Sequence, residues 1–376
     1  MRAHEMTMVE KIRQLNWGMA FLIALIAAIG FAALYSAAGG RMDPWAGKHL
    51  IRFGVCFLIM LAVALTDIRI WLRFAYVFYA GALLMLLAVD VMGVIGMGAR
   101  RWLDIGVMQL QPSELMKVGM VLAMARYFHS INFEEIGSVW SVLLPVAFIV
   151  MPVALVMVQP DLGTAMMLVF AGGAIMFVAG VRLWKFAVAI VAAGALLPIG
   201  WSFLREYQRN RLLTFIDPER DPLGTGYHIL QSKIAFGSGG VFGKGYMFGS
   251  QAYLNFLPEK QTDFIFTMLA EEFGMVGAGG LMALFACVLL YGFAISLRAR
   301  NHFGRLLAIG ICITLFLYVF INIGMVMGVL PVVGVPLPLV SFGGTAMLTT
   351  MIAVGLLMSV YIHRDTLINR AAASGL

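Results

Sequence analysis

The sequence predicts an all-α polytopic membrane protein with about ten transmembrane helices and one large extracytoplasmic loop, in a single integral membrane domain over residues 1–376. Three observations predict it. The chain is 62% hydrophobic and 12% charged, whereas soluble domains carry roughly 25% charged residues. Its mean hydropathy is +0.93. Its apolar residues fall into runs close to the length of about 20 residues that one bilayer span requires. A soluble enzyme is excluded, and so is a disordered or fibrous chain. The net charge of +7 and the pI near 9.4 read, in such a chain, as basic loops and anionic lipid contacts rather than nucleic-acid binding. Cys56, Cys287 and Cys312 all lie in apolar runs without a CxxC spacing, so they read as small core hydrophobes.

The first run, from about Trp17 to Ala38, follows a short basic start (Arg2, Lys11, Arg13). It exceeds the 7–15 residues of a signal-peptide core and reads as an uncleaved first helix. Further runs lie near His49–Thr66, Phe74–Gly93, Ser113–Phe128, Val142–Val158, Thr164–Val181, Phe186–Phe203, Phe273–Leu297, Leu306–Val329 and Gly343–His363. With the amino terminus inside, Arg69, Arg73, Arg126, Arg182, Lys185, Arg298, Arg300, Arg305, Arg364 and Arg370 collect on the cytoplasmic side. Arg41, Lys48, Arg100 and Arg101 fall outside. That bias puts both termini in the cytoplasm. Three outer segments interrupt the apolar pattern: residues 98–114, the large loop over 204–262, and the proline-rich stretch 331–344. Irregular backbone at membrane depth is tolerated where it packs in protein or lines a cavity.

Ionisable groups in or beside spans are the candidates for chemistry, since each costs roughly 2.5–3.5 kcal/mol at a helix centre. Glu114 and Lys117 stand three apart at the outer start of the fourth span, so they share a face and can pair. The pair reads either as a structural ion pair or as the lining of an outward polar cavity. Asp161, after Gln159-Pro160, is a natural N-cap of the sixth span. Helices entering from outside present their positive ends outward, where they favour anions such as phosphates. Asp263 stands where the large loop re-enters the membrane, with Glu259 one turn earlier. A carboxylate partly desolvated at that boundary suits a general base, although a helix cap is the plainer reading. Glu271 and Glu272 read as structural or interfacial. The stretch Gly237-Ser238-Gly239-Gly240-Val241-Phe242-Gly243-Lys244-Gly245 imitates a phosphate loop but lacks the required glycine at Ser238 and hydroxyl residue at Gly245. It therefore excludes an ATPase and leaves Lys244, with Arg205, Arg209, Arg211 and Lys233, as a basic surface near the headgroups. Asp90 reads as interfacial and Asn322 as interhelical glue. His228 and His302 lack partners at metal-ligand spacing.

These residues resemble the SEDS family (shape, elongation, division and sporulation) over nearly the whole chain. The resemblance rests on five ordered motifs: Gly98-Ala99-Arg100-Arg101-Trp102-Leu103-Asp104; Leu110-Gln111-Pro112-Ser113-Glu114-Leu115-Met116-Lys117; Gln159-Pro160-Asp161-Leu162-Gly163-Thr164; Leu254-Asn255-Phe256-Leu257-Pro258-Glu259 with Thr262-Asp263-Phe264-Ile265-Phe266; and Leu337-Pro338-Leu339-Val340-Ser341-Phe342-Gly343-Gly344. Asn322 to Gly328 and Pro331 to Pro336 look more like the RodA branch than the FtsW branch. Phe342 departs from the tyrosine common in the family.

The resemblance implies the SEDS fold and a peptidoglycan glycosyltransferase that polymerises lipid II on the outer face of the bacterial cytoplasmic (inner) membrane. It also implies a class B penicillin-binding protein, a transpeptidase, as partner, within an elongation machinery that includes proteins such as MreC and MreD. Carried over by position, Asp263 matches the essential aspartate, and Glu114, Lys117 and Asp161 match polar positions of the central cavity. Glu259, Lys244 and Ser341 join these as candidate cavity residues. The expected reaction is an inverting transfer in which Asp263 takes the proton of the attacking sugar hydroxyl and undecaprenyl pyrophosphate leaves. Arg100, Arg101, Lys117 and the outward helix ends are candidates to stabilise the leaving charge. A divalent cation such as Mg is a further candidate, although no acidic cluster fixes a metal site. A lipid II flippase or a non-enzymatic scaffold of the elongation machinery fits nearly the same features.

Overall fold

Thr7 opens the first helix through a reciprocal cap. Its backbone N–H donates to Glu10 Oε2 at 2.8 Å, and Glu10 N donates to Thr7 Oγ1 at 3.4 Å. This short helix, α1 (Met8–Arg13), is held by Lys11, whose Nζ donates to the Leu65 carbonyl at 3.1 Å. The computed structural model describes residues 6–368 apart from 97–98, 105, 107–108, 133, 204–208, 211–212, 216, 218–224 and 250–258. Arg205, Arg211 and Leu254 to Pro258, singled out from the sequence, lie outside the described residues.

The spans follow in order: α2 (Trp17–Ala37), α3 (Ala46–Leu65), α4 (Ile68–Met92), α5 (Pro112–Ser130), α6 (Trp140–Val158), α7 (Leu162–Ala179) and α8 (Leu183–Phe203). After α9 (Thr225–Ser238), which belongs to the large loop, come α10 (Ile265–Arg298), α11 (His302–Val326) and α12 (Gly344–Ile362). Eight of these are long and apolar enough to cross a bilayer: α2, α3, α4, α6, α7, α10, α11 and α12. The interior α5 and the apolar α8 bring the number to the ten expected. α5 falls short on apolarity because it carries Glu114, Lys117, Arg126 and His129, all buried. It can carry them because protein surrounds it on every side, between α4, α7, α11 and α12. Outer helices do the reverse. Leu50, Ile51, Val55 and Leu58 of α3 are exposed, an apolar face of the kind a bilayer covers.

Three strands form a small antiparallel sheet at one end of the bundle: β1 (Val94–Gly96), β2 (Ala99–Asp104) and β3 (Gln109–Leu110), in that spatial order. Ile95 pairs with Arg100 and Leu103 with Leu110. The amino ends of α3, α5, α7, α10 and α12 lie at this same end, as up-and-down threading requires. The opposite end carries Asp67, the N-cap of α4, and Asn301, whose Nδ2 donates to the Thr366 carbonyl at 3.2 Å.

One difference from expectation bears on the site. α10 begins at Ile265, eight residues before the expected Phe273, and its helix is broken at Gly274 (φ 64°, ψ −160°). The part before the break is buried almost throughout, Glu271 and Glu272 included. The break is filled by the glycine-rich stretch that imitated a phosphate loop. Met275 N donates to Gly240 O at 2.9 Å and Val276 N to Val241 O at 3.1 Å, so the loop caps the second half of α10. In return Lys244 N donates to Glu271 O and Gly245 N to Glu272 O, both at 3.0 Å. A helix interrupted at membrane depth leaves amides and carbonyls without partners, and here the loop supplies them.

Candidate active site

Four helix amino ends and the proline-rich segment between α11 and α12 build the site. Asp161 caps α7 as its local sequence demands: it accepts from Thr164 N at 3.1 Å and from Thr164 Oγ1 at 2.9 Å. Its Oδ2 also accepts from Gln111 Nε2 at 3.4 Å, which ties the start of α7 to the start of α5. Gln111 N in turn donates to Thr345 Oγ1 at 3.2 Å, in the first turn of α12. The third and fourth links run through the turn before α10. Thr262 N donates to Glu259 O at 3.0 Å, and Glu259 Oε2 accepts from Thr262 Oγ1 at 2.9 Å. Ser341 Oγ donates to Thr262 O at 2.6 Å and accepts from Leu337 N at 2.8 Å.

Asp263 is half-buried at the centre of this arrangement. Its carbonyl accepts from Asn322 Nδ2 at 3.0 Å, and the same amide donates to Val335 O at 2.7 Å. Asn322 therefore clamps the start of α10 to the proline-rich segment from its place in α11. The Asp263 carboxylate lies beside Gly334: a Cβ added there would stand 3.5 Å from Oδ2. On either side of Gly334, Val333 and Val335 press on Gly163 in the first turn of α7, where an added Cβ would meet the Val333 carbonyl at 2.8 Å. Only glycine admits that approach. Residues 333–335 thus lie between the amino end of α7 and the aspartate.

The Glu114–Lys117 pair is closed off. Lys117 Nζ stands 2.7 Å from Glu114 Oε1, and the side chains are 2% and 4% exposed. Lys117 Nζ lies 4.1 Å from the centre of the Tyr318 ring. Tyr318 donates its hydroxyl to Glu114 Oε2, which also accepts from Thr349 Oγ1 at 3.3 Å. The cavity beside them measures about 10 Å³, room for roughly one water. The pair is thus buried and bonded to side chains of α11 and α12.

The remaining candidates divide. Arg101 is half-buried, and its guanidinium donates to Gln159 O at 3.1 Å and to Pro160 O at 2.5 Å. It holds the carboxyl end of α6, where a cation is favourable. Arg100, its neighbour on β2, is exposed on the other face of the strand. Lys244, itself exposed, pairs with the buried Glu271 at 2.7 Å just before the α10 break. Two contributors were not anticipated. Glu272 accepts a hydrogen bond from Ser36 of α2. Arg52, half-buried in α3, stacks at 4.6 Å on Phe342 and lies against Gly344 in the first turn of α12. Their signal was the cost of charge inside a span, which the sequence offered for both. Among the described residues no group of three or more His, Cys, Asp or Glu could hold a metal ion.

Comparison with known proteins agrees with this architecture. The family model for the FtsW, RodA and SpoVE cell cycle proteins matches residues 16–366. The peptidoglycan glycosyltransferase MrdB of Escherichia coli K12 is 44% identical over 353 residues, 92% of this chain and 94% of that one. A probable peptidoglycan glycosyltransferase FtsW of Idiomarina loihiensis is 36% identical over 369 residues, 95% of this chain and 90% of that one. Among solved structures, the rod shape determining protein RodA of Thermus thermophilus superposes with a TM-score of 0.71 at 30% identity, covering 94% of this chain and 98% of that one. A chain from a peptidoglycan synthase complex, described for its coordination of polymerization and crosslinking, superposes with a TM-score of 0.80 at 34% identity, covering 93% and 98%.

Proposed function

Because the chain belongs to the family of FtsW, RodA and SpoVE cell cycle proteins, we propose that it is a peptidoglycan glycosyltransferase polymerising lipid II during cell elongation, with Asp263 as its general base. The relatives named for that activity align over nearly the full chain. The observation that carries the assignment of the base is the position of Asp263: half-buried, beside Gly334, where the amino ends of α7, α10 and α12 converge.

The site end faces the periplasm of a bacterial inner membrane, and both termini face the cytoplasm. The basic residues favour this, because Lys11, Arg69, Arg73, Arg298, Arg300, Arg305 and Arg364 lie at the opposite end. In the reaction, the acceptor's sugar hydroxyl forms a new bond to the donor's anomeric carbon from the face opposite the diphosphate, with inversion. The proton of that hydroxyl passes to the Asp263 carboxylate. The bond to the lipid diphosphate breaks and its electron pair leaves with the phosphate oxygen. The positive end of α12, which no side chain caps, meets the leaving charge with a dipole that is already oriented. Arg100 is exposed and able to reach it, whereas Arg101 and Lys117 are engaged in holding the scaffold. No step is routed through a cation, since the described residues supply no ligand set for one.

The partner is a class B penicillin-binding protein. A similar chain in a synthase complex that couples polymerization to crosslinking supports this. MreC and MreD complete the machinery on this reading. The test is lipid II polymerisation on a gel by the full-length protein with its transpeptidase, comparing wild type with Asp263→Ala and Asp263→Asn. Polymer from wild type and none from either variant is expected. Polymer from both variants removes Asp263 as the base, and no polymer from any of the three removes the enzyme and leaves lipid transport or scaffolding.

A further inference from the structure

The foot of α8, at the end of the bundle opposite the site, carries two cations side by side. Arg182 lies on the turn before α6: a Cβ added at Gly137 would stand 3.0 Å from its Nη2 and 3.1 Å from its Nε. Lys185 donates from Nζ to the carbonyl of the next residue, Ser138. Lys185 N also donates to Arg182 O at 3.0 Å, so both charges sit on one turn of chain and grip one turn of its neighbour. Among the described residues the ion pairs are those of Lys117, Lys244, Arg300, His363 and Arg364, so no carboxylate matches either cation. Glu134 and Glu135 are exposed on the same loop, and Glu135 Oε1 accepts from Asn132 Nδ2 at 3.2 Å. We infer that this foot binds the phosphate of an anionic phospholipid of the adjoining membrane leaflet, with the lipid's chains lying along α8.

Depth, shape and charge select that ligand. Trp140 opens α6 and Trp184 stands in the first turn of α8. They are 81% and 52% exposed, so two indoles flank the cations at the level where tryptophan marks the membrane interface. Beyond Lys185, the residues from Phe186 to Leu196 are all apolar or glycine. No described side chain of α8 is buried, and only Lys185 and Phe186 are half-buried, the latter edge-on to Phe177 at 6.3 Å. A charged foot and a bare apolar length in one line are the complement of a single amphiphile, with its phosphate at one end and its chains at the other.

The charge decides between lipid classes. A zwitterionic headgroup brings its own cation beside the phosphate and gains little from two more. A net-anionic headgroup brings none, and each Lys or Arg near the surface then strengthens its binding. The Arg182 guanidinium is planar and suits two phosphate oxygens at once, while the Lys185 amine acts as a point charge.

The experiment uses the full-length protein in neutral detergent, titrated with phosphatidylglycerol, cardiolipin or phosphatidylcholine of the same acyl chains. Bound lipid is read by native mass spectrometry. Tighter binding of the anionic lipids than of phosphatidylcholine is expected, and the tighter of the two names the source. In the double variant Arg182→Gln/Lys185→Gln the affinity for that lipid should fall about thirtyfold, the product of two headgroup contacts. Lys185→Arg keeps the charge and should stay within about twofold of wild type. Arg300→Gln/Arg305→Gln, which removes two cations from the start of α11 and the turn before it, should do the same. Equal affinities of wild type and the Arg182/Lys185 variant overturn the site. An equal loss in the Arg300/Arg305 variant overturns it too, because the whole face would then be attracting the lipid. Equal binding of phosphatidylcholine overturns the selection by charge. A photoactivatable phosphatidylglycerol on the wild-type protein keeps the test open where the double variant does not fold. Crosslinks within residues 137–140 and 182–186 support the site, and crosslinks confined to other segments overturn it. Activity enters none of these readouts, so their failure and that of the glycosyltransferase reading are told apart.

Discussion

Replacing Gly274 with alanine tests whether α10 is truly two helices joined by a borrowed cap. In a continuous helix the substitution stabilises, since glycine costs about 1 kcal/mol relative to alanine in a helix interior. The observed backbone reverses the sign. At φ 64° and ψ −160°, an L-residue is strained by roughly 1–3 kcal/mol. The new Cβ would stand 2.3 Å from Gly243 N, 2.5 Å from Val241 O and 2.6 Å from Val241 C, all backbone atoms with no rotamer to yield. Relief requires the loop to back away from the break. That loosens the bonds of Met275 and Val276 to Gly240 and Val241, each worth about 0.5–1.5 kcal/mol. The expected loss is about 3 kcal/mol, read as a lowered melting temperature of the purified protein in detergent, with polymerisation reduced in parallel because Asp263 heads the same half-helix. An unchanged or raised melting temperature refutes the reasoning, since only an unbroken helix gains from the added methyl.

Three further outcomes follow from the geometry. Lys117→Met alone strands Glu114 in the protein interior and should cost about 3–5 kcal/mol; the double variant with Glu114→Gln should recover most of it, which a double-mutant cycle on melting temperature measures. Ser341→Ala removes a hydroxyl that serves both Thr262 O and Leu337 N and should cost about 1–3 kcal/mol, with kcat falling more than KM rises because the turn carrying Asp263 loosens. His363, beyond the last span, is buried with its proton affinity lowered from 6.5, by desolvation first and by Lys11 and Arg69, against the pull of Ser359 and Asp67. The folded state then binds fewer protons than the unfolded one, so stability is full above pH 6.5 and declines as pH falls below it; melting curves of wild type and His363→Gln should converge in slope only above that pH.

Some of this was legible in the sequence because it is local. Asp161 caps α7 through a residue three positions on, and a cap is decided within one turn. The ten spans are likewise written in apolar run length. The break in α10 was not read, although its signal is arithmetic: the 34 residues from Ile265 to Arg298 make about 50 Å of straight helix, well beyond a hydrocarbon core of about 30 Å. Starting that span at Phe273 trimmed the excess from its outer end and left Glu271 and Glu272 as interfacial residues, when they belong to a buried half-helix. The glycine-rich stretch has the same origin. Its glycines fit neither a phosphate nor a flexible tether, because their purpose lies in a helix break some thirty residues later. Contacts between elements distant in the chain set both outcomes, and composition does not record them.

The closed Glu114–Lys117 pair also changes where the positive field of the site must come from. A lysine matched by a carboxylate at 2.7 Å acts at a distance as a dipole, not as a charge, so its pull on a diphosphate falls away faster than that of an unmatched cation. Arg101 is likewise spent against the carboxyl end of α6. Among the described residues, the amino end of α12 carries no side-chain cap, and Arg52 lies against its first turn. Helix ends need no counter-ion in the resting state and no side-chain reorganisation when charge arrives. In a membrane, where each unmatched ion costs several kcal/mol, convergent helix dipoles hold a site ready for an anion at the smallest penalty to the empty protein. Through Tyr318 and Thr349, Glu114 also joins α5 to α11 and α12 at that end.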